Sequence, residues 1–269
     1  MAWFTSGAPL RRLIALVLLC AGALPFVNNA SARTKDEVGL TYGSSATVNA
    51  AYLWRGIYAG GPCLQVDANV GYGGLYANMW WSLGATDMSL KHFLPELDLT
   101  LGFKRWGLNV FLLYIHNFDC RFFDFGNHVE HGNRLELIGS YTVSPKIPLR
   151  VLWGTRVGAA DGYFVERVTD EGLPVTEVVR AWSSYLEVSY NWQMRDGWSL
   201  YGAIGMTPWR SCYTGYQKGA VLNNIELHLR KDWSIHERCG LMLMGQMVVN
   251  PSTELNVINL NIACGVYLK

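Results

Sequence analysis

Residues 256–268 read Asn-Val-Ile-Asn-Leu-Asn-Ile-Ala-Cys-Gly-Val-Tyr-Leu. Leu260, Ile262, Cys264, Val266 and Leu268 fall on every second position, with Asn259, Asn261, Ala263, Gly265 and Tyr267 between them. A strand turns successive side chains to opposite faces, so this pattern predicts a strand with one apolar face and one polar or small face. The alternation recurs upstream. Leu97, Leu99, Leu101 and Phe103 oppose Glu96, Asp98, Thr100 and Gly102; Leu64, Val66, Ala68 and Val70 oppose Gln65, Asp67, Asn69 and Gly71. Ile225, Leu227 and Leu229 oppose Asn224, Glu226, His228 and Arg230, and Leu135, Leu137 and Tyr141 oppose Arg134, Glu136 and Ser140.

The spans 46–55, 63–71, 75–83, 95–103, 107–116, 134–143, 149–158, 182–191, 199–207, 223–230, 238–248 and 256–268 carry this signal. Segments 107–116 and 238–248 are apolar on both faces, so their register is open. Most of the others approach the ~9–11 residues that a tilted strand needs to cross a hydrocarbon layer. The connections alternate in length through the middle of the chain. Gly71–Gly74, Lys104–Trp106, the turn from Pro145 to Pro148 and Arg195–Gly197 are tight, whereas 117–133, 159–181 and 208–222 are long. An up-and-down barrel with short turns at one end and long loops at the other has this rhythm. The fold expected is therefore an all-β, antiparallel transmembrane barrel of about twelve strands, with ten or fourteen also compatible. No long internal repeat interrupts it.

Strand alternation also fits a soluble sandwich or lipocalin-like barrel, in which leucine and valine would point inward. Aromatic placement favours the membrane arrangement. Tyr72, Trp106, Trp192, Trp198, Trp233 and Tyr267 fall at the short-turn end, and Trp54, Tyr58, Trp182 and Trp209 at the long-loop end, as two interfacial girdles would require. The N-terminus agrees. Arg11 and Arg12 precede the apolar run Leu13–Leu19, and Ala30-Ser31-Ala32 supplies small residues for cleavage after Ala32. Residues 1–32 read as a signal peptide and 33–269 as the barrel, exported to a bacterial outer membrane. The mature segment carries twenty basic and twenty-one acidic side chains, a net charge of −1 without a basic block, so nucleic acid is not an expected partner. Five scattered cysteines remain (Cys63, Cys120, Cys212, Cys239, Cys264), enough for one bridge between outer loops but no disulfide framework.

The stretch from Val48 to Gly84 resembles the TorF-type porins, a group of bacterial outer-membrane proteins. The matching positions are Trp54-Arg55-Gly56 at the tip after the first strand, Pro62 with Gln65 opening the second, and Gly74 through Ser82 in the third; Glu96-Leu97-Asp98 also fits. Leu75 departs from the pattern by standing between Gly74 and the aromatic Tyr76, and the first outer loop reads as a short tip. The likeness covers roughly the first third of the mature chain. It implies an outer-membrane pore and carries no catalytic residue.

With leucine facing lipid, the barrel interior receives Gln65, Asp67, Asn69, Glu96, Asp98, Arg134, Glu136, Arg150, Arg156, Glu187, Glu226, His228 and Arg230. Mixed charge of this kind lines a water-filled channel for small polar solutes, or pairs off to pack the interior shut. Arg55 is placed to brace the first outer loop or to line the mouth. His128, His131, Asp119, Cys120, Asp124 and Glu130 share a loop and include zinc-compatible ligand types, yet a polar loop gathers such residues without a metal. Ser82, Ser89 and His92, near one outer loop, are the best available arrangement for a hydrolase, and no nucleophile motif surrounds them. The expectation is a passive porin-like channel, with lipid and small solutes as partners and no catalytic residue, metal or cofactor. A plugged structural or adhesive barrel and, less well supported, a lipid-modifying hydrolase are the alternatives. Oligomeric state is left open.

Overall fold

The structure, a computed structural model, describes residues 39–85, 92–129, 132–237, 239–252 and 258–268. The proposed signal segment lies outside them. In chain order the strands are β1 (Leu40–Asn49), β2 (Tyr52–Trp54), β3 (Ile57–Gly60), β4 (Cys63–Tyr72), β5 (Leu75–Ala85), β6 (Phe93–Arg105), β7 (Leu108–Asn117) and β8 (Arg134–Thr142). They continue as β9 (Leu149–Ala159), β10 (Gly162–Val168), β11 (Pro174–Arg180), β12 (Ser184–Gln193), β13 (Trp198–Thr207), β14 (Val221–His236), β15 (Cys239–Val249) and β16 (Ile258–Leu268).

Twelve of these described strands close a barrel in the order β1-β4-β5-β6-β7-β8-β9-β12-β13-β14-β15-β16, and β16 returns to pair with β1. Every neighbouring pair is antiparallel, and the seam runs from Ser44↔Leu268 to Asn49↔Ala263. Closure leaves the sheet without a free edge strand. The remaining strands form two hairpins outside the wall, β2–β3 and β10–β11, both at the long-loop end.

The alternation in the sequence reads directly onto the wall. On β6 Leu101 is 67% exposed on the outer surface, while its neighbours Thr100 and Gly102 face inward. Val70, Leu112, Leu137, Val151, Val188, Ile204, Leu227, Leu243 and Ile262 are likewise exposed on the outside. A continuous exposed apolar surface on this scale is foreign to a water-soluble monomer. Tyr72, Trp106, Trp192, Trp198 and Trp233 ring its short-turn edge, where Lys231 lies over Trp198 and Trp233 at 5.4 and 5.8 Å. Trp182 and Trp209 mark the other edge, with the Trp209 indole N–H donating to the Trp182 carbonyl at 2.9 Å.

Three expectations need correction. The first strand covers 40–49, not 46–55: after Asn49 the chain leaves the wall and Tyr52-Leu53-Trp54 begin the small hairpin. Its β-prone residues continue the pattern of the preceding strand, so periodicity alone does not reveal the break. Consequently Trp54 and Tyr58 belong to that hairpin and not to a girdle on the outer wall, and the first loop is a structured hairpin where a short tip was expected. Tyr267 faces inward over Gly240, with the Arg230 guanidinium 5.9 Å from its ring. All five described cysteines are free thiols, so no loop bridge forms among them.

Candidate functional site

The interior is built in two halves. Near the short turns the inward side chains of Asn69, Lys104, Asn191 and Gln193 are exposed to solvent. Toward the long loops the inward positions are sealed: Glu136 is 1% exposed, and Ser82, Tyr185, Asn224 and Asn261 are buried as well. The barrel is thus a cup, wet at one end and filled at the other.

The filling is the β2–β3 hairpin. Arg55, at its tip, is 8% exposed and reaches across the interior to the far wall. Its Nη1 donates to Glu136 Oε1 at 2.6 Å and to the Tyr213 hydroxyl at 2.6 Å. The guanidinium also lies over the Tyr185 and Tyr213 rings, with centroid distances of 4.7 and 5.2 Å. A buried cation requires such a combination of ion pair and polarisable rings, since desolvation would otherwise expel it. Beside it, Ile57 packs on an interior apolar cluster of Leu113, Ile115, Ile138, Leu152, Tyr185 and Tyr213. The hairpin backbone is pinned as well: Asn223 Nδ2 donates to the Arg55 carbonyl at 2.9 Å and Asn250 Nδ2 to the Gly56 carbonyl at 3.0 Å.

Two glycines make this seat possible. Gly56 has φ +81°, and a Cβ there would overlap the Asn223 carbonyl. Gly154 on β9 leaves the space that the Glu136 carboxylate and the Arg55 guanidinium occupy; a Cβ would collide with the carboxylate. The second wall of the seat is the loop between β13 and β14, where the turn Cys212–Thr214 carries Tyr213 inward. Nearby, Arg156 is buried, lies 5.3 Å from the Tyr213 ring centroid and donates to the Ala160 carbonyl at 3.5 Å.

Below the hairpin a chain of hydrogen bonds runs around the wall from β9 to β1. Arg150 Nη2 donates to Glu187 Oε1 at 2.9 Å, and Glu187 also accepts from the Tyr185 and Tyr201 hydroxyls at 3.0 and 2.9 Å. Tyr185 accepts from Asn224 at 2.9 Å; Asn224 and Gln246 then donate to Glu226 at 3.2 and 2.7 Å, and His228 pairs with the same carboxylate. Asn261 donates to Gln246 at 3.0 Å and to Asn49 at 3.3 Å, while its Oδ1 accepts the Ala51 backbone N–H at 3.0 Å.

The remaining sequence-nominated residues also face inward but stand outside this chain. Glu96 accepts from the Tyr52 hydroxyl at 2.7 Å, which ties the hairpin to β6. Asp98 lies two positions further along the same face, and Arg134 follows on the inner face of β8 opposite Ile115. Asp67 accepts from Asn78 at 2.6 Å, and Gln65 donates to Cys63 Sγ at 3.3 Å. Arg230 forms a two-bonded pair with Asp232 at 2.9 and 2.7 Å. The nominated residues therefore share one interior without converging on one point. Trp54, Arg55 and Gly56 form the hairpin tip, and Arg55 braces the hairpin across the interior.

Sequence reasoning missed Tyr185, Tyr213, Asn223, Asn224, Gln246, Asn250 and Asn261 as partners. One signal was present. Segment 107–116 is apolar on both faces because β7 turns Leu108, Val110 and Leu112 outward and Phe111, Leu113 and Ile115 toward the docked hairpin.

The loop proposed as a poor metal site is held by other means. Asp124 Oδ1 accepts from the Gly126 N–H at 3.0 Å and pairs with His128 at 3.0 Å; these bonds, the Gly126 one first, keep its carboxyl below the usual value of 3.8. Glu130 and His131 lie outside the described residues, and among the described residues no group of three or more His, Cys, Asp or Glu could hold a metal. Ser82 is buried and inward-facing, His92 sits in the β5–β6 loop, and Ser89 lies outside the described residues, so the hydrolase arrangement gains no geometry.

No family model and no curated protein matches the chain. Among solved structures it is similar to a KdgM porin, with 8% identity, a TM-score of 0.44 and coverage of 84% of this chain and 98% of that one. It is also similar to a NanC porin, with 9% identity, a TM-score of 0.44 and coverage of 85% and 100%. A third similar structure is the translocator domain of the autotransporter NalP from Neisseria meningitidis, with 11% identity, a TM-score of 0.40 and coverage of 98% and 96%.

Proposed function

We propose that the chain spans a bacterial outer membrane as a porin-like barrel of the TorF type, through which small hydrophilic solutes diffuse. Short turns face the periplasm and long loops face outward. One observation carries the reading: leucine, valine and isoleucine are exposed all around the outer wall while the carboxylates of the same strands point inward. Water inverts that arrangement and hydrocarbon requires it, because every backbone polar group of a spanning segment must be paired internally. The solvent-exposed half of the interior is the periplasmic vestibule, and the β2–β3 hairpin is the narrowest part of the path. The proposed signal at 1–32 supplies the export route.

The purified barrel, reconstituted in planar bilayers, is expected to give steady ohmic conductance. Replacing Glu96 and Asp98 by Gln and Asn is expected to shift reversal potentials toward anions, because both carboxylates face the conducting interior. Absence of current, or current whose selectivity ignores both residues, overturns the channel reading. The second reading, a plugged structural barrel, is favoured by the docked hairpin: the Arg55–Glu136–Tyr213 seat, the packing of Ile57 and the bonds from Asn223 and Asn250. It predicts no current from the parent protein.

A further inference from the structure

The loop after β7 behaves differently from the hairpin after β1: it turns outward. Tyr114 and His116 occupy outer-wall positions on β7, where Tyr114 is paired with Leu99 on one side and Leu135 on the other. The loop returns down this surface. The Phe122 ring lies 5.4 Å from that of Tyr114 and 4.9 Å from that of His116; Phe125 lies 5.8 Å from Tyr114 and Phe118 4.5 Å from His116. The Tyr114 hydroxyl donates to the Phe122 carbonyl.

One buried side chain holds this shape. The two N–H bonds of Asn133 Nδ2 are shared among the carbonyls of Arg121, Phe122 and Asp124, at 2.8, 3.0 and 3.0 Å. Its Oδ1 accepts from His116 Nδ1 at 2.7 Å and from Cys120 Sγ at 3.1 Å. Five partners on one amide fix the loop, yet the rings it presents are bare: Phe123 is 78% exposed, and Phe118, Phe122 and Phe125 are also open. Rigid, exposed phenylalanines contiguous with an apolar wall are arranged for an apolar medium.

We propose that Phe118, Phe122, Phe123 and Phe125 form a wedge that inserts into the hydrocarbon of the outer leaflet and fixes the height of the barrel at that edge. Lipid is the occupant because Phe122 and Phe125 pack on Tyr114, whose outer-wall neighbours Leu99 and Leu135 belong to the leucine surface. Of the loop's charged side chains, Asp124 pairs with His128, while Asp119 and Arg121 are exposed and mark where the wedge meets the headgroups. The proposal rests on the membrane reading above.

The test places the photoreactive residue benzoylphenylalanine singly at Phe123, at Leu101 and at Glu171, in barrels refolded into phosphatidylcholine vesicles, and identifies adducts by mass spectrometry. Leu101 reports the outer wall, and Glu171 lies in the turn joining β10 to β11. Lipid adduct at Phe123 is expected within about twofold of that at Leu101 and about tenfold above that at Glu171, since interfacial insertion reaches the acyl boundary. Adduct at Leu101 with none at Phe123 overturns the wedge while leaving the membrane reading intact. Adduct at neither overturns the membrane reading. Crosslinks from Phe123 to a second protein chain also overturn the wedge and assign the patch to an interface between copies. Loss of the seat is checked separately: Asn133→Ala is expected to lower lipid adduct at Phe123 by about tenfold while leaving Leu101 unchanged, because the loop no longer holds its rings against the wall.

Discussion

Replacing Arg55 by Ala removes the cation from a seat in which Glu136 is 1% exposed. Loss of one partner of a buried ion pair leaves the other charge uncompensated, at a cost of about 3–5 kcal/mol. The carboxylate can escape that cost only if water reaches it, and the hairpin is what keeps water out. At ~1.4 kcal/mol per tenfold change, the balance between docked and undocked hairpin shifts by about two to four orders of magnitude toward undocked. Single-channel recording in planar bilayers should therefore show a higher conductance or a much larger open fraction for Arg55→Ala than for the parent. Glu136→Gln, which strands the guanidinium instead, should move in the same direction. The double variant Arg55→Met with Glu136→Leu is the decisive control. It substitutes apolar side chains for both charges beside Ile57, Ile138 and Tyr213, so the hairpin should dock again and the current return to the parental level. Conductance unchanged in both single variants would refute the idea that this ion pair holds the hairpin across the interior.

Gly154→Ala should strain the same seat, since the added methyl group meets the Glu136 carboxylate; about 1–3 kcal/mol of stability should be lost in denaturant titrations of the vesicle-bound barrel. Leu112→Arg, on the outer wall near the middle of β7, should destabilise the reconstituted barrel by about 2–4 kcal/mol in the same titration, and the loss should vanish if the wall faced water. Asn261→Ala leaves the Ala51 N–H and the Gln246 side-chain oxygen without their partner, and should cost about 1–3 kcal/mol, visible as a lowered midpoint with unchanged slope.

The wall was legible in the sequence wherever one face is polar. Glu96, Asp98 and Thr100 between leucines locate β6 and its orientation, and the tight turn Lys104–Trp106 fixes where β7 begins. The contents of the interior were not legible. Tyr52-Leu53-Trp54 look like the continuation of a strand because local preference does not record that the chain has turned away from its wall partners. Arg55 meets Glu136 and Tyr213 across 81 and 158 residues, and no periodicity within a strand encodes such a contact. The doubly apolar segment 107–116 held a clue of another kind: its inner face is apolar because something must dock on it. β14 runs to His236, beyond the span 223–230, because Trp233 and Ile235 continue an outer face that the charge of Lys231 interrupts in the sequence.

Alternating accessibility along β6 tests the account most directly. Single cysteines at positions 97 through 101, in a background lacking the native cysteines and reconstituted in lipid vesicles, are challenged with a charged water-soluble thiol reagent and with a lipid-borne one. Positions 98 and 100 should react with the water-soluble reagent and 97, 99 and 101 with the lipid-borne one. The reverse assignment, or equal labelling of both sets by the water-soluble reagent, would contradict a barrel that turns its leucines to lipid and its carboxylates inward.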